Sequence, residues 1–357
     1  VSDARCDSRR KRKVAPRSGS RGGLASPLFA RIGWRAGGAG TRRRRRRLRR
    51  RVQAPTTRVR RATILSASEF TATVVEKAKS LGASVAGVAD IRTLKESPSH
   101  TIYPKIGMDP DVRWQDAPEA ALHHVVEWPA DAVSAVVIGV EHPVDRPELD
   151  WYDGKGTPGN RILIRITKEL SVWLEETFSV TSYRPPYFIE STGIFLKDSA
   201  VLAGLGSIGE NNLVITPEYG PRIRWRALLM DRMAKATGPV DYDPCDRCPR
   251  PCRRACPVKA FDHAAYSSSE LGQSILPGIN GTYDRVTCNT KMSRDVEEAA
   301  RAMASSDEEG SALASTMNAF EEAVLVMPKR DGESQYGVKY CRMCELSCPV
   351  GKQAKTR

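Results

Sequence analysis

No run of apolar residues in this chain approaches the roughly 18 that a membrane-spanning helix requires, so nothing in it is expected to cross a bilayer. An export signal is missing too. The apolar stretch behind the N-terminal arginines, residues 62–65, is far shorter than the roughly 7–15 residues such a signal needs, and the expected location is the cytoplasm. Acidic residues are nearly absent from residues 1–63, where Asp3 and Asp7 face 22 Lys or Arg, a net of +20. The remainder holds 34 basic and 40 acidic residues, a net of −6 (34 − 40), so the whole excess of +14 sits in one tail. Cysteine is absent between Cys6 and Cys245. A framework of disulfides belongs to short secreted chains and is excluded here by length and by the missing signal.

The tail carries Arg9-Arg10-Lys11-Arg12-Lys13, six consecutive arginines over residues 42–47 and three more over 49–51, with Gly and Ser between them. Self-repelling sequence with so few apolar residues cannot offset its ordering entropy, and disorder is predicted for 1–63. Arginine blocks of this kind bind nucleic acid by counterion release, which would suit a tRNA substrate. A solvated, expendable extension is the stronger reading, since charge runs usually form solvated tails.

The cysteine that is present comes in two runs: Cys245-x2-Cys248-x3-Cys252-x3-Cys256-Pro257, and Cys341-x2-Cys344-x3-Cys348-Pro349, with Cys288 between them. A cubane cluster needs four thiolates converging from all sides. A tight loop supplies three and a distant cysteine the fourth, and in two-cluster ferredoxins the Cys before Pro ligates the other cluster. The spacing therefore predicts two 4Fe-4S clusters, one on Cys245, Cys248, Cys252 and Cys348, the other on Cys341, Cys344, Cys256 and Cys288. Zinc is the rival reading. Zinc ribbons use two Cys-x2-Cys knuckles about 15–20 residues apart, without further cysteines in the same run or a proline behind them. The x3 gap between Cys248 and Cys252 departs from the ferredoxin x2, and Pro249 and Pro251 stiffen the loop around the extra residue.

From residue 64 the texture is that of an ordinary globular domain of α/β or α+β class, expected over 64–239. Ser66 with Glu69 forms a capping box for a helix through Phe70, Val74, Val75 and Ala78 that stops at Gly82. Continuous apolar runs predict buried strands at 84–89 and 132–140. A long helix at 160–178 places Ile162, Ile166, Leu170 and Trp173 on one face, and further strands are read at 187–189, 213–216 and 223–230. A cluster module follows over 240–357, and residues 289–326 read as a helical insertion broken near 305–310.

Gly204-Leu205-Gly206-Ser207-Ile208-Gly209 matches the dinucleotide fingerprint G-x-G-x-x-G letter for letter. That fingerprint must follow a strand and open a helix. Here residues 198–203 read as helix and 211–216 as strand, so no nicotinamide site is expected, although the glycines permit something large to approach the backbone closely.

The stretch Lys197-Asp198-Ser199-Ala200-Val201-Leu202-Ala203 that leads into this loop, the Glu210-Asn211-Asn212 that leaves it, and then Ile215-Thr216-Pro217-Glu218-Tyr219-Gly220 together resemble the segment before the clusters in epoxyqueuosine reductases. The order of the eight cysteines is similar to theirs as well. The resemblance covers residues 64–357. It implies a nitroreductase-like cobalamin-binding domain followed by a ferredoxin-like domain with two clusters, a layout shared with reductive dehalogenases. It further implies that Lys197, Gly204, Gly206, Ser207, Gly209, Asn211, Asn212 and Tyr219 face the cobalamin. Glu190, thirteen residues before Ala203, takes the place of the aspartate that gives the substrate its proton. Burial at a strand end would keep Glu190 protonated for that task, and a salt-bridged Glu190 is the open alternative. Leu196 stands where the family has glutamate, and Glu210 where it has lysine.

None of His100, His123, His124, His142 and His263 sits in the D-x-H-x-x-G frame of mutase-like modules, which agrees with a family whose cobalt has no protein histidine. The five read as ordinary surface or core residues. Tyr187, Tyr219 and Arg222 lie near enough to the loop in sequence to line a pocket or to pack beneath it. The implied activity is a reductase: a low-potential donor such as a ferredoxin or flavodoxin sends electrons through the clusters to cobalt, which reduces an epoxide, a carbon–halogen bond or a related electrophile. A ferredoxin-like electron-transfer protein without a corrinoid is the alternative from another class. The helical-repeat tail with which epoxyqueuosine reductases grip tRNA has no counterpart before Arg357, so a small molecule or a divergent modified nucleoside is the expected substrate.

Overall fold

A capping box opens the first helix of the described chain. Ser66 Oγ accepts from the Glu69 N–H at 3.3 Å while Glu69 Oε2 accepts from the Ser66 N–H at 2.9 Å, so two otherwise orphaned donors are satisfied at the start of α1 (Ala67–Ser80). Phe70, Val74 and Ala78 then recur at every fourth position and are buried as one stripe. The computed structural model describes residues 65–105, 126–151, 157–187, 193–276, 281–306, 324–328 and 334–351. The Arg-rich tail and Glu190 lie outside the described residues.

After α1 come β1 (Val85–Asp90), α2 (Ile91–Lys95), α3 (Pro98–Ile102), β2 (Ser134–Glu141), α4 (Pro158–Phe178), β3 (Ser182–Tyr183), α5 (Leu196–Leu202), the short pair β4 (Ser207–Ile208) and β5 (Val214–Ile215), and β6 (Ile223–Met230). The main sheet has the order β1-β2-β6-β3, and each neighbouring pair is antiparallel. The mixed helix and strand reading is therefore met in its α+β form. Helices cover both faces. Phe70, Val74, Leu163, Ile166, Leu170 and Leu174 pack from α1 and α4 onto Val136, Ile138 and Leu228. On the other face Leu94 and Ala200 pack onto Val137, Ala227 and Leu229. A strand buried on both sides has no polar face, which is why β2 reads as an unbroken apolar run.

The remaining elements are α6 (Pro251–Arg254), α7 (Ser268–Leu271), α8 (Arg285–Ser306), the hairpin β7 (Val324–Pro328) with β8 (Ser334–Val338), and α9 (Met343–Ser347).

Three expectations are corrected. Residues 289–326 are not helical throughout: α8 ends at Ser306, and Val324–Pro328 is a strand paired with Ser334–Val338. The β-branched Val324 and Val326 suit that ladder better than a helix. Of the strand expected at 187–189, Tyr187 lies outside any strand and residues 188–189 lie outside the described residues, while Ser182–Tyr183 pairs with β6. The seam of α4 is rotated toward Leu163, Ile166, Leu170 and Leu174, with Ile162 and Trp173 only flanking it, because the helix sits in a trough between α1 and the sheet. Truncating the seam should thus cost more than truncating the flank. Leu170→Ala is expected to lower stability by about 2–5 kcal/mol and Ile162→Ala by clearly less, measured by urea unfolding; equal losses would contradict the seam.

Candidate metal-cluster site

The glycine loop is shaped by the chain's own backbone. Gly204 has φ +69°, and a Cβ there would stand 2.8 Å from Thr237 O. Gly206 has φ +155°, and its Cβ would collide with Ile215 O. Thr237 braces this arrangement: its Oγ1 donates to Ala203 O at 2.6 Å and accepts from the Val88 N–H at 2.9 Å, which ties the loop to β1. Helix α5 precedes the loop, and β4 and β5 lie within and after it, the reverse of the dinucleotide context. Asn212 takes a left-handed φ of 55°, and Asn211 is buried with its Oδ1 accepting from the Leu213 N–H at 3.2 Å. Asn211 Nδ2 has no hydrogen-bond partner among the described residues. Ser207 pairs with Ile215 in the β4–β5 ladder.

Beyond the loop the cysteines gather. The Glu210 N–H donates to Cys245 Sγ at 3.3 Å. Glu210 also binds Arg250 and Arg253, each at 2.9 Å, so this residue anchors the first cysteine run. The Cys252 thiol is pushed up to about 11, by burial first and then by Cys348, Cys245 and Cys248 around it, against a backbone N–H that opposes the shift. Cys344 is pushed up to about 12, by burial and then by Cys288, Glu345, Cys341 and Cys256. The thiols thus fall into two neighbourhoods, and each mixes cysteines from both runs. A protein that crowds thiols which so resist ionisation is suited to a cationic group that would take them as thiolates. Among the described residues no Cys, His, Asp and Glu group can hold a single metal ion. A lone zinc would need sulfurs about 3.8 Å apart, from Zn–S bonds of about 2.3 Å; a cluster that gives each thiolate its own iron has no such requirement.

Buried charge holds the second run in place. Asp150 accepts from His142 Nδ1 at 2.6 Å and is ion-paired with Arg224 Nε at 2.9 Å and with Arg342 Nη1 at 2.6 Å. Glu345 binds Arg224 at 2.8 Å and also Arg342. Burial alone would raise the Asp150 pKa, but Arg224, the His142 hydrogen bond and Arg342 hold it down at about 2. Arg222 donates to the carbonyls of Cys348, at 3.3 Å, and Val350. Gly220 and Gly351 stand back to back: a Cβ on Gly220 would strike Val350 O, and one on Gly351 would strike the backbone of Tyr219 and Gly220.

Other expected site residues are placed unevenly. Lys197 points its ammonium over the Tyr283 ring, 5.5 Å from the centroid, with Cys288 and Cys344 as charge neighbours; it faces the second set of thiols. Tyr219 is partly buried, and burial, then Glu141 and Glu218, raise its pKa. Tyr187 lies under the Arg226 guanidinium at 5.0 Å. His100 and His142 are core residues. His100 Nδ1 bonds Ser97 Oγ at 2.8 Å, and Ser97 Oγ donates to Asp198 at 2.8 Å; with Nε2 accepting from the Phe195 N–H, this Ser, His and Asp set is internally satisfied and offers no nucleophile. The Asp150 network and the partners of Glu210 were missed in the sequence, where charges far apart in number carry no local sign of pairing.

No family model matches the chain. The chain is similar to the epoxyqueuosine reductases. It is 27% identical to the epoxyqueuosine reductase of Synechocystis sp. over 188 residues, which is 48% of this chain and 63% of the relative. The solved epoxyqueuosine reductase of Streptococcus thermophilus is 21% identical with a TM-score of 0.43, over 78% of this chain and 65% of that one. A catabolic reductive dehalogenase is 17% identical with a TM-score of 0.37, over 55% of this chain and 26% of that one. The matched part is thus less than two thirds of the length of each.

A carboxyl lowered from 3.8 to about 2 corresponds to roughly 2 kcal/mol of folding stability. Because the folded-state pKa is depressed, this contribution is full above the unfolded pKa and disappears as pH falls through about 2. The metal-free chain is therefore expected to exceed Asp150→Asn in stability by roughly that margin at neutral pH, with the margin closing between about pH 4 and about pH 2. Urea unfolding of both across that range tests it, and a margin that does not close would show that the charge on Asp150 is not what stabilises.

Proposed function

We propose that the chain is a cobalamin- and iron-sulfur-dependent reductase related to epoxyqueuosine reductase, in which electrons from a low-potential donor such as a ferredoxin or flavodoxin reach cobalt through two 4Fe-4S clusters. The observation that carries this reading is the sorting of eight thiols into two sets, each drawn from both cysteine runs. Cys245, Cys248, Cys252 and Cys348 would hold one cluster, and Cys256, Cys288, Cys341 and Cys344 the other. The fold proposed for them is a ferredoxin-like module over 240–357 beside a nitroreductase-like domain over 64–239; the helix-covered antiparallel sheet supports the latter.

Cobalamin, when bound, supplies the low-valent metal chemistry that no side chain offers. The chain's own residues position and protect. Asn211 Nδ2, buried and unpartnered among the described residues, is a donor awaiting an acceptor that a cofactor would bring. Gly204, Gly206 and Gly209 keep the loop folded tightly on Thr237 and Ile215, which fixes where Ser207, Asn211 and Asn212 stand. Tyr219 borders the same turn. Glu190 would hold the proton delivered to the substrate, an electrophile such as the epoxide of a modified nucleoside, in tRNA or free, or a small molecule.

Anaerobic preparation of the full chain with cobalamin supplied, followed by assay of iron, sulfide, zinc and cobalt, tests the reading. About eight irons and one cobalt per chain are expected. Eight irons without cobalt would leave the electron carrier, and zinc without iron would overturn both. Cys348→Ser should lose about half the iron, because one thiol from the second run completes the first set.

A further inference from the structure

The two sets of thiols are lined unequally. Around the first, Glu210 is paired with Arg250 and Arg253, and the carboxylate that faces the thiols without an arginine partner among the described residues is Asp243. Cys245 has Glu210 and Asp243 beside it, and the Asp243 carboxylate accepts from the Cys245 N–H at 2.8 Å. Arg222 approaches Cys348, but its guanidinium is occupied by the carbonyls of Cys348 and Val350. The second set faces a different wall. Tyr283, half-buried, directs its hydroxyl at Cys288, a hydrogen bond that favours the thiolate. Phe261 stacks on that ring at 5.6 Å and holds its plane. On the Tyr283 face, 5.5 Å from the centroid, lies the Lys197 ammonium.

Lys197 keeps some exposed surface along its stem while its ammonium is enclosed by protein. Burial lowers its pKa, and Cys288, Asp198 and Cys344 act against that. Asp198 is committed elsewhere: it accepts from Ser97 Oγ at 2.8 Å, Ser99 N–H at 2.9 Å and Ser99 Oγ at 2.7 Å. Glu345, the carboxylate nearest Cys344, is neutralised by Arg224 and Arg342. Asp295 accepts from the Cys341 N–H at 2.9 Å but is itself paired with Lys291, so the charge facing the second set without an opposite partner of its own is the Lys197 ammonium.

We infer that Lys197 and Tyr283 are potential-setting residues for the cluster held by Cys256, Cys288, Cys341 and Cys344, and that they make it the better electron acceptor of the two. This rests on the proposed function in one respect, that iron-sulfur clusters occupy both sets. Reduction adds one electron to an already anionic cluster, so a nearby cation and a donor to the cysteine sulfur favour the reduced form, while the Asp243 carboxylate beside the other set disfavours it. One electron given by an external one-electron carrier to the first cluster then passes downhill to the second, which is reduced as the first is reoxidised.

The test is a potentiometric titration of the reconstituted full chain followed by electron paramagnetic resonance. Two one-electron midpoints are expected. Lys197→Met should lower one of them by at least a tenfold change in electron affinity, about 59 mV for a one-electron couple, and leave the other in place. Tyr283→Phe should move the same midpoint in the same direction, and Lys197→Arg should hold it near the wild-type value. Cys288→Ser identifies the affected cluster by perturbing that signal, whereas Cys252→Ser should perturb the other. The inference is overturned by unmoved midpoints in Lys197→Met, by equal movement of both, or by movement of the signal that belongs to Cys252. A chain with no iron would fail earlier, in the metal assay, and would remove the proposed function along with this inference.

Discussion

Asp150 and Glu345 are two carboxylates that the fold takes out of water, and neither could stay charged there without Arg224 and Arg342. Arg224 belongs to the central sheet, whereas Arg342 lies between Cys341 and Cys344. The second cysteine run has one short helix and little apolar surface, so it cannot fold on its own account. Its orientation against β6 depends on this cluster of charge. A buried ion pair often contributes little net stability over an apolar replacement, yet removing one partner strands the other charge. Such a set penalises wrong orientations more than it rewards the right one, which suits a segment whose task is to aim thiols.

Glu210 extends the same logic to the first run. Its backbone N–H reaches Cys245 and its carboxylate reaches Arg250 and Arg253. The glycine loop and the first cysteine run are therefore joined by both a hydrogen bond to sulfur and two ion pairs. The negative charge of Glu210 is answered by those two arginines.

The parts legible in the sequence were those written in short-range grammar. The capping box at Ser66 and Glu69, the runs that became β1, β2 and β6, and the helix-before, strand-after context of the glycine loop all depend on residues a few positions apart. The exchange of cysteines between runs is an expectation from Pro257 and Pro349, which mark the cysteine that leaves each loop, and stands as a proposal. What escaped depends on packing between distant segments. The face of α4 is set by a trough that α1 and the sheet make together. Val324–Pro328 is a strand because Ser334–Val338 lies beside it. The glycines at 204 and 206 were read as room for a visitor, but the space is taken by Thr237 and Ile215. Lys197 was assigned to the loop by its neighbours in number, while its side chain crosses to Tyr283, 86 residues later in the chain (283 − 197).

The back-to-back glycines at 220 and 351 carry an implication for how this architecture can diversify. Each fills the void where the other's side chain would begin, so neither can gain so much as a methyl unless the partner's backbone retreats. Variation in the turn that borders the loop is thereby left to the exposed Pro217 and Glu218, since Tyr219 packs against the core. A lineage searching for new substrates can alter those two positions, while the joint that seats Cys348 stays out of reach of single substitutions.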